Sequence, residues 1–185
     1  MDDTPSLLRA LLAYVWAPAL ALAGVLDWTL HRQQRIELTA GLKESALHLV
    51  MIAAVGSGLL AALMLQTTAG VLLLILLLAL LHEGLYLLDL NVALARRRIP
   101  LLEQWVHGFQ HLLPWAGVAA MVALAPGQAA ALVGRGAEPP DWSWRWAESP
   151  PPAAYVGTLL AAALVLNILP FAEESWRCLR AAQRR

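Results

Sequence analysis

Three acid–histidine pairs stand four residues apart: Asp27 with His31, Glu44 with His48, and Glu103 with His107. A fourth pair, His82 with Asp89, is spaced by seven. Residues four or seven apart share one face of an α-helix. Each pair therefore offers a carboxylate and an imidazole to the same side. The eight side chains supply only nitrogen and oxygen, which suits iron, zinc or manganese, whereas copper(I) favours sulfur. Eight ligands exceed what one ion takes and fit two ions bridged by carboxylates. Two metal ions are expected, iron before zinc or manganese. Haem is not expected, because a bis-histidine haem uses two imidazoles and leaves the acids unexplained.

The elements that must carry these residues are apolar. Of the 185 residues, 59% are hydrophobic and 14% charged, with a formal net charge of zero. A soluble domain carries about 25% charged residues. Runs of roughly 20 apolar residues read as membrane-spanning helices. The expected architecture is all-α and integral to the membrane, one domain over 1–185. It has five transmembrane helices, at about 10–30, 45–65, 71–92, 101–124 and 153–171. Four of them form a bundle around the metal site at its cytoplasmic end. Pro18 lies inside the first span, where membrane helices tolerate it. Pro100 suits the first turn of the fourth. A Pro/Trp-rich loop over 126–152 is external, and a short charged helix over 173–185 closes the chain. The start, Met1-Asp2-Asp3, lacks the basic region of a cleaved signal, so the first segment is read as a retained anchor.

Sidedness follows from the arginines and the lysine. Arg32, Arg35 and Lys43 fall between spans one and two, Arg96 to Arg98 between three and four, and Arg177, Arg180, Arg184 and Arg185 in the tail. The positive-inside rule puts all three groups in the cytoplasm and the N-terminus outside. All eight candidate ligands then fall within roughly the cytoplasmic third of the membrane, at about 1.5 Å per residue. An isolated charge at that depth costs at least about 2.5–3.5 kcal/mol, so the groups are expected to converge on each other, on arginines or on a cation. Trp142, Trp144 and Trp146 read as an outer aromatic belt. Near-neutral charge gives no nucleic-acid footprint. Cys178 is the sole cysteine, which excludes an intrachain disulfide or thiolate cluster. Very few lysines among many Ala, Leu and Arg residues point to a bacterial source, hence the inner membrane. The stripe Gly56-Ser57-Gly58 with Ala61 and Ala62 permits close helix contact within or between chains, so an oligomer is possible.

Further groups stand near the set. Glu37, Glu83 and His111 are possible additional ligands, and Glu173 lies at a suitable depth. Arg32 and Gln104 are candidates for orienting ligands. Tyr86, one turn after His82, is a candidate redox or proton-relay tyrosine. Soluble di-iron carboxylate bundles also project acids and histidines inward from four helices, with Glu-x-x-His spacing in place of the acid-x-x-x-His seen here. The arrangement resembles that of membrane di-metal enzymes of the fatty-acid desaturase and hydroxylase type, whose histidine-rich sites lie at the cytoplasmic ends of transmembrane helices. His107-Gly108-Phe109-Gln110-His111 has their H-x-x-x-H spacing; their H-x-x-H-H boxes are absent. In overall make-up the chain looks like a small bacterial integral-membrane family. The resemblance implies a di-iron oxidoreductase or oxygenase acting on a lipid-like or other amphiphilic substrate, with a separate electron donor. A zinc-dependent membrane hydrolase and a metal or proton transporter are the alternatives.

Overall fold

The computed structural model describes residues 4–184. Met1-Asp2-Asp3, on which the anchor reading rests, and Arg185 of the basic tail lie outside them. The described residues are helical, with an isolated bridge between Leu65 and Trp146 and no strand. The helices are α1 (Thr4–Gln34), α2 (Leu42–Met64), α3 (Ala69–Leu94), α4 (Leu101–Leu124), α5 (Pro126–Leu132) and α6 (Ala153–Ala182). α1, α2, α3 and α6 are each long and apolar enough to cross a membrane. α4 and α5 meet at a 104° bend and make a fifth span only when taken together. The polar stretch Glu103 to His111 is what lowers the hydropathy of α4.

Two helices outrun their expected ends for the same reason. A proline lacks the N–H that closes the i→i−4 bond, and its ring crowds that carbonyl. In α1 a π-turn at Leu12–Trp16 stands just before Pro18, and in α6 another at Leu164–Ile168 stands just before Pro170. A widened turn relieves the clash, so the helix continues. The tail is therefore not a separate short helix. It is the last part of α6, and it buries Phe171, Glu174 and Cys178. The expected external loop also begins as helix α5, with Pro126 in its first turn. Pro100 is the extended residue before α4 and not part of its first turn.

The remaining loop is stapled across the α2–α3 turn. Gln66 N donates to Arg145 O at 2.9 Å, Ala147 N to Met64 O at 2.8 Å, and Gly70 N to Asp141 O at 3.1 Å. A Cβ at Gly70 would lie in van der Waals contact with the Trp142 backbone, 3.4 Å from its O. Trp142, Trp144 and Trp146 alternate along the extended segment and are all exposed.

Around the bundle the helices neighbour each other in the order α1, α4, α3, α2, α6 and back to α1. At the loop end the interior is apolar, built from Leu12, Leu63, Val71, Ile75 and Met121. Gly58 and Ala61 of the small-residue stripe face inward, with Leu78 of α3 at 3.8 Å from the position of a Gly58 Cβ, so this part of the stripe serves α2–α3 packing. The other end of the interior is polar, and there Asp27, His31, Glu44, Asp89, Glu103 and Glu174 are each 0% exposed.

Candidate metal centre

Five helices deliver the buried polar groups. α1 brings Asp27 and His31, α2 brings Glu44 and His48, α3 brings Asp89, α4 brings Glu103 and His107, and α6 brings Glu174. Gly24, one turn before Asp27, sets how closely α6 approaches α1. A Cβ at Gly24 would lie 1.6 Å from Asn167 Oδ1, and Asn167 Nδ2 donates to Ala21 O at 3.3 Å. This contact places Glu174, two turns further along α6, against His31.

Asp27 is the hub. Its Oδ1 lies 3.2 Å from His107 Nε2 and 3.4 Å from His31 Nε2. Its Oδ2 lies 3.3 Å from His48 Nε2 and 3.3 Å from Gln110 Nε2. One ligand atom from each of Asp27, His31, His48 and His107 falls within 4.8 Å of all the others. Two of the rings are fixed from behind. His48 Nδ1 is 2.9 Å from Glu44 O, and His31 Nδ1 is 3.1 Å from Glu174 Oε2. A proton on Nδ1 satisfies both contacts and leaves the Nε2 lone pair facing Asp27, the arrangement that orients metal-ligating histidines. Phe171 stacks on His48 with ring centroids 5.1 Å apart and holds its plane. Three imidazole nitrogens and a carboxylate converge here, so this group could hold a metal ion. Asp89, also expected as a ligand, joins neither converging group and lies on the Nδ1 side of His48. Both of its oxygens are buried with no hydrogen-bond partner among the described residues, and Oδ1 lies 3.9 Å from His48 Nδ1. An unpaired buried carboxylate is costly.

A second converging group contains His31, Glu44 and Glu103. His31 Nε2 lies 3.3 Å from Glu103 Oε1 and 3.6 Å from Glu44 Oε1. Here Arg97 enters, which the sequence assigned to topology alone. Its side chain is 5% exposed. Nη2 donates to Glu44 Oε1 and to Glu103 Oε1, Nε reaches Glu44 Oε2 at 3.3 Å, and Nη1 reaches Glu103 Oε2 at 3.0 Å. Gln34 completes the network through Arg97 Nη1 at 2.7 Å and through Glu103 Oε2. Burial opposes the charge on Arg97, but the bonds to Glu103 and Glu44 outweigh it and hold its pKa above the ordinary arginine value.

The other candidates lie outside both groups. His82 is buried but joins neither. Glu83 receives Trp115 Nε1 at 3.0 Å and lies 3.0 Å from His111 Nδ1. Tyr86 stands between this pair and the centre, its ring 6.1 Å from His107 and 5.4 Å from His111. Glu37 pairs with Arg177, and Arg32 pairs with Glu173 at 2.9 Å, both on the α1–α6 side. Gln104 donates to Ile99 O and so fixes the start of α4, not a ligand. Sequence reasoning missed Glu174, Gln34, Gln110 and the inward turn of Arg97. Glu174 had a signal, since it lies on the same helical face as Asn167, Phe171 and Cys178.

An apolar cleft of about 150 Å³ ends on the cluster. His48, Asp89, His107 and Gln110 line one end. Ile52, Val55 and Leu59 of α2, Leu20 of α1 and Leu159 of α6 line the rest. Along α2 the lining runs from His48 to Leu60, about 18 Å at about 1.5 Å per residue. The first half of α6 packs on α1 and scarcely on α2, while its second half packs on both. The cleft therefore opens sideways between α2 and α6. No protein-family model, curated protein or solved structure matches the chain.

Proposed function

We propose that the chain is an integral membrane metalloenzyme, an oxygen-activating oxidoreductase whose metal is held by Asp27, His31, His48 and His107. Its substrate is an amphiphile, with the polar end at the metal and the hydrocarbon chain in the cleft. One observation carries this reading: His48, His107 and Asp89 belong to the buried polar cluster and also floor the apolar cleft. A site for an amphiphile needs both features in continuity.

The membrane placement rests on the long apolar helices and on their leucine-rich exterior, with Leu77, Leu80, Leu81, Leu87 and Leu88 all about half exposed. The arginine distribution supports an orientation with the cluster end cytoplasmic and the Trp-rich loop outside, and the proposed location is a bacterial inner membrane. Iron is the preferred metal because imidazole with carboxylate suits it, with zinc or manganese as substitutes. When bound, iron supplies the redox chemistry toward oxygen, and a separate reductase or a reducing substrate supplies the electrons. The protein's part is positional. Asp27 and the three Nε2 atoms set the ligand directions, and Glu174 and the Glu44 carbonyl lock two rings. Asp89 is placed to take a proton at the substrate end of the cleft. Ile52, Val55 and Leu59 keep water from the reacting end.

The test is metal analysis of protein purified in detergent, followed by oxygen exposure of the anaerobic iron form. Stoichiometric iron and a near-ultraviolet band that changes with oxygen are expected. A chain that retains no iron, zinc or manganese overturns the proposal. A zinc hydrolase is the second reading, favoured by Asp89, since an unpartnered carboxylate beside the ligands suits a general base for metal-bound water. Colourless zinc protein that cleaves a lipid ester or amide supports it. A transport path would have to cross the apolar layer of Leu12, Leu63, Val71, Ile75 and Met121.

A further inference from the structure

We infer that Arg97 stands in the place of a second cation, and that the Glu44 and Glu103 carboxylates form a latent divalent-metal subsite held shut by its guanidinium, while His31 Nε2 stays with the Asp27 ion. This rests on the reading that the Asp27 group holds an ion, and it decides how many ions the centre takes.

The donor set of the latent subsite is complete. It consists of the four oxygens of Glu44 and Glu103, both fully buried and converging beside His31, whose Nε2 belongs to the Asp27 ion. In the structure every one of the four carboxylate oxygens receives an N–H of Arg97, two from Glu44 and two from Glu103. Arg97 Nη2 also lies 3.5 Å from His31 Nε2. The guanidinium thus meets every member of the group a metal would use. Its planar fork matches two carboxylates bidentately, which an ammonium or a water cannot do.

The connection between α3 and α4 forces this side chain inward. Arg96 N and Arg97 N both donate to Ala93 O at 2.9 Å, which wraps the end of α3. Ala93 and Ile99 are buried and anchor the turn on both sides, while Arg96 and Arg98 stay exposed. Arg97 alone of the three points into the bundle, and it covers the two glutamates from the direction of the connection. One positive charge against two carboxylates leaves the group with a net negative charge. Removing the arginine exposes both charges to each other at full burial, a state that a divalent cation relieves and that is otherwise strongly unfavourable.

The experiment is a cobalt(II) titration of the apo protein, read by d–d absorbance and by metal analysis, in the native chain, Arg97→Ala and Arg97→Lys. One ion per chain is expected in the native protein and in Arg97→Lys, and two in Arg97→Ala. Glu103→Gln added to Arg97→Ala should remove the second ion and leave the first. If apo Arg97→Ala is too unstable to purify, growth with added cobalt should restore its yield, and continued failure with metal overturns the inference. Two ions in the native protein, or one in Arg97→Ala, also overturns it while leaving the Asp27 centre intact. No ion in any form removes that centre itself.

Discussion

At the scale of single residues, what distinguishes a ligand here is the direction of a ring nitrogen. His31, His48, His82 and His107 are all buried and all stand near acids. Three of them aim Nε2 at Asp27, and His82 does not join them. Changing His48 or His107 to Ala should lower metal content by at least half without preventing membrane insertion. His82→Ala should leave it unchanged. Metal analysis of the three variants side by side checks this, and loss of metal in His82→Ala alone would reverse the assignment. Glu174 shows what spacing misses. Its pairing with His31 joins residues 143 apart in the chain.

At the scale of elements, two devices set the geometry. The first is the close pass of α1 and α6 at Gly24. Gly24→Leu should push Asn167 and the helix away, costing about 1–3 kcal/mol by overpacking. It should also reduce metal retention, because Glu174 withdraws from His31. Gly56→Ala is the control, since nothing stands within 4 Å of a Cβ there. Equal stability and metal content in the two variants would sink the idea. The second device is the stapled loop. Hydrogen bonds from Ser143 hold the half-buried Asp141 carboxyl below the ordinary Asp range, with help from Arg145. A depressed acid stabilises the folded form above its unfolded pKa and loses that contribution as pH falls through the lowered value. Amide exchange at Gly70 and Ser143 should therefore speed up under strongly acidic conditions, beyond the ordinary pH dependence of exchange and ahead of the bundle core. Protection that follows the core throughout would remove Asp141 from that role.

At the scale of the whole molecule, the chain separates an apolar interior at one end from a polar one at the other, and a sideways cleft joins the polar end to the helix exterior. Gly56 lines that cleft and faces open space. Gly56→Phe should fill it without disturbing the ligands. In the cobalt(II) form, palmitohydroxamate should perturb the visible spectrum of the native protein and lose that effect in the variant. Acetohydroxamate, which lacks the chain, should act on both alike. Equal response of both proteins to the long-chain probe would separate the cleft from substrate binding.

The sequence alone determined the helical class, four of the five expected long apolar segments and the pairing of acids with histidines, because each depends on local periodicity along one helix. Five helices neighbouring in a ring bring Asp27, His31, Glu44, His48, Glu103 and His107 into two groups that share His31. Tertiary structure alone decided which nitrogen faces which oxygen, that Glu174 backs His31, and that Arg97 turns inward where a second ion was expected. These depend on contacts between helices far apart in the chain, where a glycine's missing Cβ or one turn of a connecting loop sets the approach. A spacing rule reads one helix at a time, and a charge buried between five helices is settled by all of them together.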